Sequence, residues 1–364
     1  MSEHDGAIAR NRANWDQRAD VHARSAMYDV DGLIADPSRR SPVVLNDLAV
    51  LAPHLEGGTV AGRSLLHLQC HIGTDTACWA RLGAVDVHGL DLSPNSLAHA
   101  RRIADAVGAD VTWIEGDART ASQVIDRAFE VVVTSAGTIV WLPELRSWAR
   151  SIHDLLEPGG VFAIRDDHPI LGAMDFEPWQ VSGDYLSGGG ANVYDDAATY
   201  TDGPTDSITQ TVNHEWRHDL AEVTGALLEA GLVVEALGEH PFMDWPAFSG
   251  LVECPQGWRL PEGAPRIPLN FSVVARHPER PHTRAVPPAS AARERGDGAR
   301  SSAHPPKSPG RSAPARRGAS TRSSAAGSGP TPRVQAVGDW LTGIRSSWSP
   351  KRATSSSRPP SAST

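Results

Sequence analysis

Ser64-Leu-Leu-His-Leu-Gln-Cys-His-Ile-Gly-Thr-Asp75, followed by Val87-His-Gly-Leu-Asp-Leu-Ser93, is the stretch whose reading decides the fold. Leu65, Leu66 and Leu68 form a short apolar run of the kind buried on both faces of a parallel sheet. Gly73 closes a tight turn without a Cβ, which lets backbone approach a ligand. A helix over roughly 74–82 follows, with Cys78 and Leu82 four apart on one face and Gly83 ending it in the left-handed conformation. Its unpaired N-terminal amides and its dipole favour an anionic group, phosphate or carboxylate. Asp91 then ends a second strand, 24 residues after His67, close to the roughly 20-residue offset at which a carboxylate holds ribose hydroxyls. The unit predicts an adenosine-type ligand.

The same turn argues against a pyrophosphate. The dinucleotide fingerprint needs three glycines, and here Gln69 and His71 stand at the other two positions beside Gly73. A nicotinamide-dependent oxidoreductase is therefore the weaker alternative, and an ordinary βα turn without a ligand is the bland one.

In these residues the chain resembles the class I S-adenosylmethionine-dependent methyltransferases, and in particular the bacterial type 11 and type 25 methyltransferase domains, whose first motif reads Leu-Gln-Cys-His-aromatic-Gly-x-Asp-Thr. The match runs from Leu68 to Thr76, with Ile72 at the aromatic position. It continues through Asp91-Leu-Ser-Pro94, Glu115-Gly-Asp117, Trp141-Leu-Pro143, Leu156-Glu-Pro-Gly-Gly160 and Glu239-His-Pro-Phe242, and covers about residues 10 to 278. His67 stands where that family usually has an Asp or Glu that meets the methionine part of the cofactor. The resemblance implies S-adenosylmethionine as cofactor and a methyl group passed to a small-molecule acceptor. It also implies that the last strand is antiparallel and inserted between strands five and six. A catalytically silent cofactor-binding regulator is the remaining alternative.

Strand ends fix the candidate site, since ligands of open α/β sheets bind beyond the carboxyl ends of the strands. Cys70, His71, Gly73 and Thr74 face the amino-acid end of the cofactor, and Asp91 with Leu92 holds the ribose. By the resemblance, Asp117 with Ala118 meets the adenine, and the N-terminal Trp15 and Tyr28 fold over the cofactor. Ser135, with Thr134, lines the methyl-transfer region. His168, directly after strand five, is the expected general base, with His214 and His218 as second choices. His67 and Gln69 are read as structural polar groups on the strand.

The rest of the chain supports an α/β alternation that adds up to a Rossmann-like, doubly wound seven-stranded sheet. Ser93 is an N-cap with Pro94 at the first helical position, and Leu97, Ala100, Ala104 and Val107 keep one face apolar as far as Gly108. Strands are expected at 111–115, 129–134, 161–165, 233–237 and 269–275. A helix over about 145–156 stops at Pro158-Gly-Gly160, and Asp219 and Glu222 form a capping pair for another. Residues 168–216 read as an irregular insertion whose Trp179, Tyr185, Tyr194 and Tyr200 wall a pocket, with Gly188-Gly-Gly190 as the hinge of a lid.

The organisation expected is a helical cap and substrate segment over 1–60, the methyltransferase domain over 61–278, and a disordered tail over 279–364. Net charge divides the same way, −20 for residues 1–278 and +11 for the rest. An acidic body argues against nucleic-acid binding and suits a sulfonium. The Ser/Pro/Arg-rich tail buries too little apolar surface to order itself, apart from Trp340, Ile344 and Trp348 spaced four apart. Three cysteines without paired spacing indicate neither disulfide framework nor metal site. No apolar run approaches the roughly 20 residues of a membrane span, and cytoplasm is the default expectation.

Overall fold

Seven strands form the main sheet of the computed structural model, which describes residues 4–176 and 179–279. They are β1 (Ser64–Leu68), β2 (Val85–Asp91), β3 (Val111–Glu115), β4 (Phe129–Ser135), β5 (Leu156–Asp167), β6 (Val233–His240) and β7 (Asn270–Arg276). Their order is β6-β7-β5-β4-β1-β2-β3. β7 runs antiparallel to both β5 and β6, and the pairings of β1 with β2 and β4, of β2 with β3 and of β4 with β5 are parallel. The helices are α1 (Asp5–Arg24), α2 (Val30–Ala35), α3 (Pro42–Leu51), α4 (Thr74–Arg81), α5 (Pro94–Val107), α6 (Arg146–Leu155) and α7 (Leu220–Glu229).

All five residues of β1 are buried, as a central parallel strand covered on both faces requires. Successive side chains part company: Leu66 and Leu68 join Val132, Phe162 and Phe271 under α6 and α7, whereas Leu65 joins Val87, Val131 and Val133 under α4 and α5. Each fully buried leucine contributes about 1.5–3 kcal/mol. Ala19, Leu33, Val44 and Leu51 from α1, α2 and α3 extend the second of these cores.

Local signals act as their chemistry dictates. Ser93 Oγ accepts from the Ser96 amide at 3.0 Å, and Pro94 opens α5. Asp219 Oδ1 caps α7 by accepting from Glu222 N at 2.9 Å, but Glu222 does not complete the reciprocal box: its Oε2 lies 3.0 Å from His218 Nδ1. β5 begins five residues earlier than the apolar run at 161–165 suggests, because a bulge between Phe129 and Val131 of β4 absorbs Glu157–Gly160.

Residues 168–216 are less irregular than their sequence reads. Met174–Phe176 pairs with Trp179–Val181, and Ala191–Asp195 pairs with Val212–Trp216. The second hairpin docks along α1 through a stripe of amides. Asn11 exchanges two 2.7 Å bonds with the backbone of His214, Asn14 Nδ2 donates to Gln210 O at 2.6 Å, and Gln17 Oε1 accepts from the amides of Thr209 and Gln210. A small three-stranded sheet of Phe242–Met243, Val252–Cys254 and Gly257–Arg259 was not expected at all. Strands of two or three residues carry no period long enough to read. The tail, with Trp340, Ile344 and Trp348, lies outside the described residues. Among those described, no helix is long and apolar enough to cross a membrane, and no group of His, Cys, Asp and Glu is suited to a metal ion.

Candidate active site

The β1–α4 turn has the backbone of a glycine loop with side chains on it. Gln69, His71 and Gly73 all have positive φ, at 55°, 48° and 77°. The left-handed conformation costs a non-glycine residue about 1–2 kcal/mol, so surrounding bonds must hold it. His71 N donates to Asp91 Oδ2 at 2.8 Å, Ser93 N donates to Asp91 Oδ1 at 2.9 Å, and Gln69 Nε2 donates to Thr138 O at 2.9 Å. Burial pushes the Asp91 carboxyl up to about 6 against the pull of those amides.

Gly73 has a different reason to be glycine than ligand access. A Cβ there would sit 2.6 Å from Ala100 Cβ and 2.6 Å from Trp113 Cη2, and Gly73 does not line the cavity. Close approach of α4 to α5 and β3, together with the positive φ, excludes any side chain. Packing alone therefore requires glycine at this position.

A cavity of about 560 Å³ opens beyond the carboxyl ends of β1, β2, β4 and β5. It brings together Cys70, His71, Thr74, Asp91, Leu92, Asp117, Ala118, Ser135, Trp15, Tyr28 and His168; Gly73 and Thr134 do not line it. Of the insertion aromatics, Tyr194 and Tyr200 line it; Trp179 instead packs edge-on against Phe176 and Phe248.

Trp15 of α1 meets His71, His22, Trp141 and Tyr200, with ring centroids 5.0–6.4 Å apart. His22 Nδ1 and His71 Nε2 share a 2.8 Å hydrogen bond, His71 Nδ1 lies 3.1 Å from Ser96 Oγ, and Tyr28 and Tyr200 share a 2.5 Å bond between hydroxyls. Burial brings His71 down to about 3 and His22 well below its ordinary value, so both imidazoles are neutral. This chain of bonds ties α1 and the insertion to the β1–α4 turn. His22 went unnoticed in the sequence, where it is the one histidine of a long polar helix and nothing local signals its burial.

His67 is 2% exposed, with Nδ1 2.9 Å from Thr76 Oγ1 and Nε2 buried without a partner at the cavity. Burial lowers it to about 4, which leaves it neutral. Gln69 Oε1 is likewise orphaned beside it. Asp117 is held by Arg119, whose Nη2 donates to Oδ2 at 2.6 Å and whose backbone N donates to Oδ1 at 2.9 Å. Any adenine contact shares those oxygens.

His168 is not free to act as a base. Its Nδ1 accepts from Ile170 N at 3.1 Å, which fixes the proton on Nε2, and Nε2 donates to Glu239 Oε1 at 3.0 Å. Both ring nitrogens are engaged in holding the turn after β5, and that expectation is corrected. His218 is similarly fixed between Leu142 O and Glu222, and His214 does not line the cavity. Of the two carboxyls beside His168, Asp166 is fully bonded and Asp167 is not. Asp166 accepts from Gly137 N, Thr138 N, Thr138 Oγ1 and Ile139 N within 2.5–3.1 Å. Asp167 lines the cavity with Oδ1 buried and unpartnered, and Oδ2 accepts only from Trp245 Nε1 at 3.3 Å. Burial, helped by the Asp166 charge, pushes Asp167 up to about 8. The sequence missed it because an aspartate beside a histidine carries no sign of its burial.

Residues 65–160 match the protein family described as "Methyltransferase domain". The Ubiquinone biosynthesis O-methyltransferase of Shewanella sp. (strain ANA-3) is 29% identical over 133 residues, 36% of this chain and 53% of that protein. An uncharacterized methyltransferase of Synechocystis sp. is 32% identical over 114 residues, 29% of this chain and 48% of the relative. The chain thus spans about half the length of the curated relatives it matches. Among solved structures, an S-adenosylmethionine-dependent methyltransferase from Mesorhizobium loti is 22% identical, covers 63% of this chain and 96% of its own, and superposes with a TM-score of 0.41. Strand order, the single antiparallel strand and the matched segment define a class I S-adenosylmethionine-dependent methyltransferase domain. Residues 65–160, the segment similar to the methyltransferase-domain family, hold the β1–α4 turn, Asp91 and Asp117.

Proposed function

We propose that this protein transfers a methyl group from S-adenosylmethionine to a small-molecule acceptor. The observation that carries the reading is the turn in which Gln69, His71 and Gly73 all adopt positive φ beside the buried Asp91. Side chains at two of the three glycine positions fill the space a pyrophosphate would need. Asp91 keeps a spare lone pair on each oxygen after binding two amides, enough for a pair of ribose hydroxyls. The orphaned His67 Nε2 and Gln69 Oε1 fit an amino group at the methionine end, in place of a carboxylate.

When bound, S-adenosylmethionine supplies an electrophilic methyl on a sulfonium. The chain supplies position and dryness: Trp15, Tyr28 and Tyr200 close the cavity under α1 and the insertion, which we assign as the lid. Holding a nucleophile near attack distance is worth about 7–11 kcal/mol. Where the acceptor must lose a proton, Asp167 Oδ1 takes it, since a base that titrates near neutrality is best matched to that task. The O-methyltransferase relatives favour a hydroxyl acceptor.

Calorimetric titration with S-adenosylmethionine, S-adenosylhomocysteine and NAD tests the reading. The two sulfur compounds are expected to bind and NAD is not. Binding of NAD in preference to both would overturn it.

A further inference from the structure

Arg18 is a buried cation to which no carboxylate is bonded among the described residues. The residue is 6% exposed, its guanidinium lines the cavity, and its Nε is buried with no partner. Among the described residues it forms no ion pair, and the Trp15 ring centroid lies 5.9 Å from its guanidinium carbon. Arginine cannot escape the cost of burial by losing its proton. We propose that Arg18 anchors a carboxylate of the methyl acceptor, an inference that rests on the methyltransferase reading above.

Three observations define the ligand. The guanidinium is a planar fork with an indole near it and Nε unused, a geometry suited to a planar anion bound through two parallel bonds. Its charged surroundings are acidic: Asp196 and Glu215 attract it through space, though neither bonds to it, and Asp196 Oδ1 instead accepts from Ala198 N at 3.0 Å. Burial raises Glu215 to about 7, so a protonated fraction can donate to an anion. Such surroundings tolerate a single negative charge and repel a phosphate dianion. Finally, Asp196, Tyr200 and Glu215 all belong to the insertion, not to the β1–α4 turn, which assigns the carboxylate to the acceptor and not to the cofactor's methionyl group.

The test uses the full chain saturated with S-adenosylhomocysteine and titrated calorimetrically with benzoate or its neutral isostere benzamide. The wild type is expected to bind benzoate at least about tenfold more tightly, the effect of one charge-assisted contact. R18Q should abolish that preference while holding S-adenosylhomocysteine within about twofold, and R18K, which keeps the charge but loses the fork, should weaken benzoate. Equal binding of the two probes to wild type, or a benzoate preference that survives in R18Q, would overturn the proposal. So would R18Q weakening S-adenosylhomocysteine tenfold while sparing 5′-methylthioadenosine, which lacks the carboxylate; that result assigns the cation to the cofactor. Absence of S-adenosylhomocysteine binding by the wild type removes the methyltransferase reading itself, and this one with it.

Discussion

Two neighbouring residues at the end of β5 have opposite surroundings. His168 has both ring nitrogens bonded, whereas Asp167, the proposed base, keeps a buried oxygen without a partner. Asp167→Asn is expected to lower kcat about 100-fold or more for a hydroxyl acceptor while leaving S-adenosylhomocysteine binding unchanged, as loss of a general base does. In the wild type, kcat/KM should rise with pH toward a plateau above about 8, because the base form appears only as Asp167 loses its proton. His168→Gln should leave kcat within a few-fold and lower the melting temperature. A rate that collapses in His168→Gln and survives in Asp167→Asn would reverse the assignment. At the ribose end, Asp91→Asn should weaken S-adenosylhomocysteine about 10- to 100-fold, the worth of one or two charge-assisted bonds.

At the scale of elements, the β1–α4 turn and the hairpin of 191–216 are held by different means. The turn depends on Gly73, so Gly73→Ala must distort α4 against Ala100 and Trp113 and strain φ as well; a loss of about 2–4 kcal/mol in denaturant unfolding is expected. The hairpin depends on Asn11, Asn14 and Gln17 of α1. Asn14→Ala removes a 2.6 Å bond to Gln210 O and should speed amide hydrogen exchange across 208–216 without altering exchange in β1 or β4. Equal acceleration in the sheet would mean that the hairpin is part of the core's cooperative unit and not a separate cover.

For the whole molecule, burial of titrating groups sets the pH response. His22, His67 and His71 have folded values depressed below that of a free imidazole, so their stability contribution is full above about pH 6.5 and is lost as pH falls toward 3–4. Asp167 and Glu215 are raised, to about 8 and about 7, so the folded state holds protons that the unfolded chain sheds near 4 and stability falls as pH rises toward 8. Between about pH 6.5 and 8 only the carboxyls act, and the melting temperature should decline there. Asp167→Asn should flatten that decline; an unchanged slope would show that Asp167 titrates normally. Much of the architecture was legible in the sequence: the apolar run of β1, the Ser93-Pro94 cap and the glycine stops are local signals of period and backbone conformation, and they act within a few residues. The sequence by itself determined the seven-stranded alternation and the adenosine-type turn. Only the tertiary structure decided that Gly73 is packed too closely for a side chain, that His168 is clamped while Asp167 keeps one unpartnered oxygen, and that Arg18 has no bonded carboxylate, because burial and partner geometry are set by residues up to about 200 positions away in the chain.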